Sequence, residues 1–406
     1  MTSHALSLTR EAGELLSGIL CITASAYYLV ALFCAAEFFR RRTPRRVGTE
    51  MPITVLKPIC GLDRGAYENF ASFCRQRYPR FEIIFGSERS DDPGLAVARR
   101  VARDFPQVDV RIVVHSGPPT ANPKVGLLGA MAAQARHPLL LVSDSDIRVR
   151  MAHLSALAAP MADPRVGVVT CLYRSNAQGF AGRLDALGLT TDFQPSVLVA
   201  RRLEGISFGM GSGTLVRADA LAAAGGFAAI EDFLADDYLL GNLPVQVGYR
   251  AELSADVVEH ELDVSTIRQV IEHQTRWNRG IRAMRPIGYA GLLLTHGVAA
   301  STFLLAIAPH DPRAWVVAMA ALGLRLALAW FVGVRCLRDS VARESLWLVP
   351  IRDLLSFGLW IASFFGDSIV WRGKRFALSP GGRLRAESSP AGAAADPGLA
   401  HSGIAS

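Results

Sequence analysis

The sequence predicts an α/β domain with a parallel sheet, flanked on both sides by apolar segments long enough to cross a membrane. Short β-type runs alternate with helical patterns between about residues 50 and 286. This alternation is typical of parallel sheets covered by helices on both faces. An apolar run covers residues 17–36, others follow residue 286, and half of the 406 residues are hydrophobic. The composition therefore favours a membrane protein with one sizeable globular domain.

The N-terminal apolar run, residues 17–36, is uncharged and is followed by five arginines between Arg40 and Arg46. Its length suffices for a membrane helix, which needs about 20 residues. A cleaved signal peptide carries its positive charge before the apolar run, whereas here the charge follows it. Residues 1–46 are therefore predicted to be an uncleaved anchor with its basic flank in the cytoplasm.

The C-terminal region, residues 287–378, contains apolar runs at 287–308 and 314–334 that resemble a transmembrane hairpin. Arg325 lies inside the second run, where a charge is costly unless it faces other helices or reaches the interface. Residues 346–371 form an irregular apolar region, either a re-entrant pair, an interfacial helix with one span, or one irregular span. The number of crossings stays open, and the tail, 379–406, is predicted to be disordered from its Gly, Ala, Pro and Ser content.

Within the middle domain, residues 47–286, four strands and two helices stand out. The strands are predicted at 53–56, 81–85, 108–115 and 139–143, and the helices at 93–104 and 125–135. Asp92 and Asp144 each come just after a strand. Because ligands of parallel sheets bind beyond the carboxyl ends of the strands, both residues are expected at a nucleotide site.

The segment Ser143-Asp144-Ser145-Asp146 ends an apolar strand, and alternate residues of an extended chain point the same way. Asp144 and Asp146 are therefore a candidate site for Mg²⁺ or Mn²⁺, which prefer oxygen ligands and share them with phosphates. Such a pair also occurs in turns and helix caps without any metal.

A second acidic pair, Asp236 and Asp237, lies near the start of a helical stretch. Acids in a first turn stabilise the helix dipole, which is the ordinary explanation. The functional alternative is a general base that deprotonates an attacking hydroxyl. Lys124, near a helix N-terminus, either assists phosphate binding or is a solvated lysine.

Residues 264–284 are predicted to form an amphipathic interfacial helix with arginines every three residues from 276 to 285. These arginines suit anionic lipid, while Arg276 also suits a diphosphate, with Trp277 packed at the same pocket. His260 and His273 lack metal-ligand spacing, so a zinc site is not expected. The glycine-rich run 209–213 does not fit a phosphate-binding fingerprint and is interpreted as a flexible loop at a substrate pocket.

The net charge is +7, yet no nucleic-acid-binding motif is present, so membrane association explains the charge more simply. None of the six cysteines forms a CxxC pair, which predicts free thiols in a reducing compartment.

Taken in order, these motifs resemble the ceramide glucosyltransferase family, membrane relatives of the processive-type glycosyltransferases. The resemblance runs along most of the chain, through Leu56-Lys57-Pro58, Asp91-Asp92-Pro93, Asn122-Pro123-Lys124, Asp144-Ser145, Gln178-Gly179-Phe180-Ala181, Asp236-Asp237-Tyr238, Arg276-Trp277 and Trp371-Arg372. It implies a GT-A-type, Rossmann-like domain, inversion at the sugar, a UDP-sugar donor, a divalent cation and a lipid acceptor.

The same resemblance implies roles for single residues. Asp92 resembles the nucleotide-binding aspartate, Asp144 with Asp146 the metal-diphosphate site, and Asp237 the catalytic base. Arg276 and Trp277 resemble the end of a (Q/R)xxRW signature, whose first position here is His273. Asp236 stands where the partner of the base is often Glu, and both Asp236 and His273 are expected to contact the acceptor or close the site.

The composition, rich in Ala and Arg, resembles that of bacterial proteins. The corresponding subgroup is the hopanoid-associated glycosyltransferases, which implies N-acetylglucosamine transfer to a hopanoid polyol at the inner membrane, with the domain cytoplasmic. Glucose transfer to ceramide is the alternative. A processive polysaccharide synthase would have more membrane helices, and a non-catalytic scaffold would not need the intact acidic residues.

Overall fold

The fold is described from a computed structural model that covers residues 2–40, 51–117, 120–371 and 374–386. The chain divides into two compact units that alternate along the sequence. The helical unit comprises residues 1–41, 178–202 and 264–367, and the sheet unit comprises residues 42–177, 203–263 and 368–406.

The strands belong to the sheet unit. They are β1 Ile53–Pro58, β2 Phe81–Ser87, β3 Asp109–Val114, β4 Leu139–Val142, β5 Ile147–Arg148, β6 Val166–Asn176, β7 Thr214–Arg217, β8 Arg250–Glu261, β9 Ser368–Trp371, β10 Lys374–Leu378 and β11 Leu384–Ala386.

The helices occur in both units. They are α1 Thr2–Arg40, α2 Ala66–Cys74, α3 Pro93–Asp104, α4 Pro123–Ala132, α5 His153–Ala158, α6 Gly179–Gly188, α7 Gln194–Leu203, α8 Ala218–Ala223, α9 Asp236–Gln246, α10 Ile267–Met284, α11 Pro286–Gly291, α12 Gly297–Ile307, α13 Pro312–Ala329, α14 Ser340–Ser345 and α15 Val349–Ala362. Two π-helical segments, Leu189–Phe193 and Trp330–Cys336, continue α6 and α13.

The first eight strands form one sheet in the order β3-β2-β1-β4-β7-β6-β8-β5. Strands β3, β2, β1 and β4 pair in parallel, as the sequence predicts. The prediction of an all-parallel sheet is wrong beyond β4, because β7 is antiparallel to both β4 and β6. Every residue of β1 and β4 is buried, and β4 reads as a continuous apolar run, as is typical of a central strand.

The parallel half of the sheet determines where the acidic motifs lie. Asp63, Asp92 and Asp144 follow β1, β2 and β4, whose carboxyl ends meet at one edge of the sheet. The strand-end placement predicted for Asp92 and Asp144 is thereby confirmed.

Three helices of the helical unit are long and apolar enough to cross a membrane, namely those within residues 8–40, 312–336 and 340–362. A fourth candidate, residues 286–295 with 297–307, is bent by 52° and is either one broken span or a re-entrant loop. Helices α1, α12 and α13 pack through small side chains, including Cys21, Ala300 and Ala321. Small residues allow close helix contact where lipid gives no hydrophobic driving force.

The positive charge inside the apolar run at residues 314–334 faces other helices. Arg325 is 3% exposed and donates to Asp353 through Nε at 2.7 Å and Nη2 at 2.8 Å. Its Nη1 donates to the carbonyl of Thr191 at 2.9 Å. The sequence left two placements for Arg325, facing other helices or reaching the membrane interface. In the structure Arg325 is buried against neighbouring helices.

The unit boundaries differ from those expected along the sequence. The sequence predicts one globular domain at residues 47–286. In the structure, residues 178–202 and 264–286 lie in the helical unit. Strands β9, β10 and β11 form a separate three-stranded sheet that ends at Ala386, eight residues into the predicted disordered tail. Residues 387–406 of that tail lie outside the described residues. Alternating apolar residues with short turns were the signal for these strands.

Candidate active site

The centre of the site is a buried lysine surrounded by carboxylates. Lys124 lies in the first turn of α4 and is 6% exposed, which excludes the solvated alternative. Its ammonium group contacts Asp144 Oδ1 at 2.6 Å and Asp236 Oδ2 at 3.4 Å. Asn122 caps α4 and also donates through Nδ2 to the carbonyl of Phe233 at 2.8 Å. The cap therefore fixes α4 and the segment before Asp236 in one arrangement.

Asp237 is positioned by backbone donors at the start of α9. Its Oδ2 accepts from the N–H of Gly211 at 3.0 Å, and its Oδ1 accepts from the N–H of Tyr238 at 2.7 Å. The carbonyl of Gly211 in turn accepts from the N–H of Asp144, at 3.3 Å. The glycine-rich run thus links the two acidic motifs through backbone hydrogen bonds.

Steric crowding explains why position 211 is occupied by glycine. A Cβ added there would lie 2.7 Å from Asp144 Oδ2, closer than carbon and oxygen tolerate. A Cβ at Gly241 of α9 would lie 2.0 Å from the backbone nitrogen of Gly209. Backbone approach between this run and α9 therefore needs glycine on both sides.

Asp146 follows Asp144 by two residues, and its two carboxylate oxygens differ in their hydrogen bonding. Its Oδ2 is 3.2 Å from His260 Nε2, while its buried Oδ1 has no hydrogen-bond partner among the described residues. Lys57 donates to the carbonyl of Asp144 at 2.6 Å, and Asp63 accepts from Ser145. Sequence reasoning gave no role to Lys57, Asp63 or His260. Their positions at strand ends beside the Ser143–Asp146 run were the available signal.

These groups form what we call the acidic cluster, comprising Asp63, Asp144, Asp146, Asp236 and Asp237 with Lys57 and Lys124. Five carboxyl groups meet two amines, so the cluster holds an excess of negative charge in a largely buried place. Such a concentration of interacting ionisable groups in a fold is typical of functional sites.

Burial, together with the neighbouring charges, perturbs the pKa values of the cluster. Burial, and then the neighbouring Asp236, raise the pKa of Asp237 to about 6. Burial and then Asp146 raise the pKa of Asp63 to about 7. Burial lowers the pKa of Lys57 to about 7, although Asp146 and Asp144 oppose that shift. For Lys124 burial is outweighed by Asp144 and Asp236, and the net pKa lies above the ordinary value.

Asp92 occupies a structural position at the same edge of the sheet. It is the N-cap of α3, with Oδ1 accepting from the N–H of Gly94 at 2.8 Å. Its Oδ2 accepts from the N–H of Gly61 at 2.9 Å and from the hydroxyl of Ser87 at 3.0 Å. The carboxylate thus holds the loop after β1 against the start of α3, which shapes the edge where a nucleotide is expected.

The remaining predicted site residues lie on α10, in the helical unit. A capping box of Thr266 and Gln269 begins this helix. His273 Nδ1 is 2.7 Å from Asp185 Oδ2, and its buried Nε2 has no partner among the described residues. Arg276 is 7% exposed, and the ring of Trp277 contacts those of Phe193 and His273. The role of α10 residues in the reaction stays a prediction.

Two of the arginines expected on anionic lipid have partners inside the helical unit. Arg279 donates to the carbonyl of Phe365 at 2.9 Å, and Arg282 donates to the carbonyl of Gly366 at 2.9 Å and pairs with Asp367. These carbonyls follow the end of α15, where cations are stabilised by the helix dipole. Arg279 and Arg282 therefore fasten α10 to the segment after α15.

The donor set of the acidic cluster fits a hard divalent cation. Asp146 Oδ1 is a buried carboxylate oxygen without a partner, and the adjacent Asp144 carries a second carboxylate. No group of three or more His, Cys, Asp or Glu side chains suited to a metal occurs among the described residues. A site of two carboxylates suits Mg²⁺ or Mn²⁺ that completes its coordination with substrate phosphate and water. It does not suit a structural zinc, which is usually held by four Cys or His ligands.

Comparison with known proteins identifies the fold and the family. The structure is similar to a mannosyltransferase from Pyrobaculum calidifontis solved in complex with GDP-Man and Mn²⁺. The TM-score is 0.51 at 19% identity, covering 86% of this chain and 99% of that one. The protein therefore has a GT-A-like glycosyltransferase fold, as the sequence predicts.

Two curated relatives cover most of the chain. Ceramide glucosyltransferase 1 of Caenorhabditis elegans is 26% identical over 377 residues, which are 90% of this chain and 80% of the relative. Ceramide glucosyltransferase 3 of the same organism is 24% identical over 356 residues, 82% of this chain and 74% of the relative. Residues 16–384 match the family described as Glycosyl transferase family 21. Because that match spans both units, the chain is a member of glycosyl transferase family 21.

Proposed function

We propose that this glycosyltransferase moves a hexose from a UDP-sugar to a hydroxyl group of a membrane lipid, with inversion at the anomeric carbon. The observation that carries the proposal is the acidic cluster at the carboxyl edge of the sheet, whose five carboxyl groups exceed its two amines. The membrane-type helices and the names of the relatives support a lipid as the acceptor.

Asp237 is the base in this proposal. The acceptor oxygen attacks the anomeric carbon, the bond from that carbon to the diphosphate oxygen breaks, and the hydroxyl proton passes to Asp237. Both carboxylate oxygens of Asp237 receive one backbone N–H, which fixes the group and leaves lone pairs for the proton. A carboxyl pKa of about 6 suits a base that must be ionised near neutral pH and still accept a proton.

Lys124 keeps the acids in place without neutralising all of them. It contacts Asp144 and Asp236, so these two carboxylates share one cation. Asp146 with Asp144 would hold Mg²⁺ or Mn²⁺, which stabilises the departing diphosphate. The Mn²⁺ of the mannosyltransferase from Pyrobaculum calidifontis supports a cation of this class. Arg276 and Lys124 are the proposed cationic contacts of the donor, with Asp92 shaping its nucleotide pocket.

The names of the relatives favour ceramide as the acceptor and glucose as the sugar. The hopanoid alternative, with N-acetylglucosamine, is supported only by the resemblance to that bacterial subgroup. His273, in place of Gln or Arg in the signature, is a candidate determinant of this choice, since Asp185 orients its ring.

The charge pattern supports a cytoplasmic sheet unit at the bacterial inner membrane. The basic residues at 40–46 flank α1, and further basic residues follow α15. Both basic flanks lie on the same side of the membrane if an even number of membrane crossings separates them. The two unbroken spans at 312–336 and 340–362 meet this condition, with the bent pair at 286–307 as a re-entrant loop.

The test is a transfer assay on the purified full chain. UDP-glucose and UDP-N-acetylglucosamine are each offered with ceramide and with a hopanoid polyol, in Mn²⁺ or Mg²⁺, and the products are weighed by mass spectrometry. A single hexose on ceramide supports the acceptor named by the relatives, and a single N-acetylhexosamine on the hopanoid supports the alternative. A long polymer would move the protein to processive synthesis, and an absence of adducts from every pair would overturn the proposal.

A further inference from the structure

The small C-terminal sheet, β9 to β11, has one apolar face and one basic face. Its register places Ile369, Phe376 and Ala386 side by side, and the next rung pairs Leu378 with Leu384. Ile369, Phe376, Leu378 and Leu384 of this face are buried. The alternate residues point to the opposite face.

That opposite face carries three arginines and an exposed valine. Arg375 pairs with Val370, and Arg385 pairs with Ala377, so all four share the face, with Arg383 at its end. The three arginines and Val370 are exposed. Across the described part of the chain, none of these arginines has an ion pair with an acid. The face is therefore cationic.

The sheet follows a candidate membrane span closely along the sequence. Five residues separate Ala362, which ends α15 and a candidate span, from Ser368 at the start of β9. Basic residues that follow a span are where a polypeptide meets lipid phosphates. The arginines of α10 that seemed suited to this task, Arg279 and Arg282, are already bonded within the helical unit. Arg375 and Arg385 of the sheet, in contrast, have no ion pair among the described residues.

The edge of the same sheet is bonded to the segment that leads into the acidic cluster. The N–H of Leu384 donates to the carbonyl of Asp232 at 2.7 Å, and the N–H of Leu234 donates to the carbonyl of Gly382 at 3.2 Å. Phe233 and Arg383 form a β-bridge, with the guanidinium over the Phe233 ring. Residues 232–234 are therefore joined to the edge of this sheet by one isolated β-bridge and two backbone hydrogen bonds.

Residues 231–235 end at the two acids of α9. Their other side is held by Asn122, which donates through its backbone N–H to Glu231 at 2.8 Å and through Nδ2 to Phe233. Asp236 and Asp237 follow directly. Backbone hydrogen bonds thus connect the sheet to the segment that leads into the proposed base.

We propose that the basic face of this sheet binds anionic phospholipid headgroups, and that this contact holds residues 231–235 and the adjoining acids in their working arrangement. The lipid-binding part is independent of the reaction, whereas the effect on catalysis rests on the proposed function. The surface gives the transferase a means of responding to the charge of the membrane that contains it.

The test uses the full chain in nanodiscs of phosphatidylcholine alone or of phosphatidylcholine with phosphatidylglycerol. Amide hydrogen exchange is followed in residues 374–386 and 231–235. The proposal expects slower exchange of both segments in the anionic discs and loss of that protection when salt is raised, because salt screens exposed charges. Equal exchange of residues 374–386 in the two discs would overturn lipid binding. Protection of residues 374–386 without protection of 231–235 would overturn the coupling.

Matched variants locate the effect on this face. The double variant Arg375→Gln/Arg385→Gln is expected to weaken the response to phosphatidylglycerol by roughly fivefold for each arginine removed. Arg99→Gln/Arg103→Gln, two exposed arginines of α3, removes the same charge elsewhere and should respond like the wild type. An unchanged response in the sheet variant would contradict the proposal.

Activity supplies the second readout. Transfer should be faster in anionic discs for the wild type and the α3 variant, and insensitive to lipid charge for the sheet variant. If no disc supports transfer while the exchange pattern is as expected, the proposed function fails and the lipid surface stands.

Discussion

The two units both bury charged side chains, but they balance them differently. In the helical unit Arg325 meets Asp353 with two parallel hydrogen bonds, one cation for one anion. In the sheet unit five carboxyl groups share two amines, and a buried oxygen of Asp146 has no partner among the described residues. In a balanced pair the cation and the anion neutralise each other, and the pair contributes to the fold. An unbalanced cluster retains charge for a ligand, and that difference separates a structural ion pair from a candidate active site.

Among substitutions in the two units, the largest expected effect on the turnover number is at Asp237, the proposed base in the acidic cluster. Asp237→Asn keeps the size of the side chain and removes its ability to take a proton. The turnover number should fall roughly 10²- to 10⁴-fold, the usual contribution of a general base. Binding of UDP, measured by calorimetry, should be largely retained, since the proposed donor contacts lie elsewhere. A variant that turns over near the wild-type rate would remove Asp237 as the base.

The next effect concerns the balanced pair. Arg325→Met leaves Asp353 as a buried uncompensated charge, which should cost about 3–5 kcal/mol of stability. The double variant Arg325→Met/Asp353→Leu removes both charges and should recover most of this loss, as read from thermal unfolding in a fixed detergent. The rate per folded molecule should be unchanged in the double variant. A double variant that is stable but inactive would give this pair a role beyond the fold.

A smaller effect is expected at the partner of Asp146. His260 lies 3.2 Å from Asp146 Oδ2, so it orients the carboxylate whose other oxygen is unpaired. His260→Gln should weaken activation by Mn²⁺ roughly 10- to 100-fold, as loss of such an orienting contact does in metal sites. Saturating Mn²⁺ should restore the rate. A variant with the wild-type metal titration would place the cation away from Asp146.

The smallest effect is a displacement in the pH profile. A base works when ionised, so activity should be present above the pKa of Asp237, about 6, and lost as pH falls through it. After burial, Asp236 is the largest contribution that raises this pKa. Asp236→Asn should therefore move the acid limb of the profile to lower pH, whatever it does to the maximal rate. A limb that moves to higher pH, or stays in place, would contradict the electrostatic account.

The sequence predicts the acidic motifs and their place at strand ends, because apolar runs mark buried strands and Asp92 and Asp144 follow such runs directly. It did not predict the antiparallel β7, because pairing direction depends on contacts remote in sequence. The contact of Gly211 with Asp237 was also missed, since it joins residues 26 positions apart. The contacts of Lys57, Asp63 and His260 with the Ser143–Asp146 run become recognisable only when the strand ends meet, because they join residues 82 to 114 positions apart.

The measurement that tests the central claim most directly is lipid glycosylation by the purified chain, compared with Asp237→Asn, each with Mn²⁺ and with a chelator. Mass spectrometry reads the product, and NMR of the product reads the anomeric configuration. The account predicts one sugar on the lipid, inverted relative to the donor, formed by the wild type only with metal and by the variant at a small fraction of that rate. A product with retained configuration, or equal products from the wild type and the variant, would contradict it.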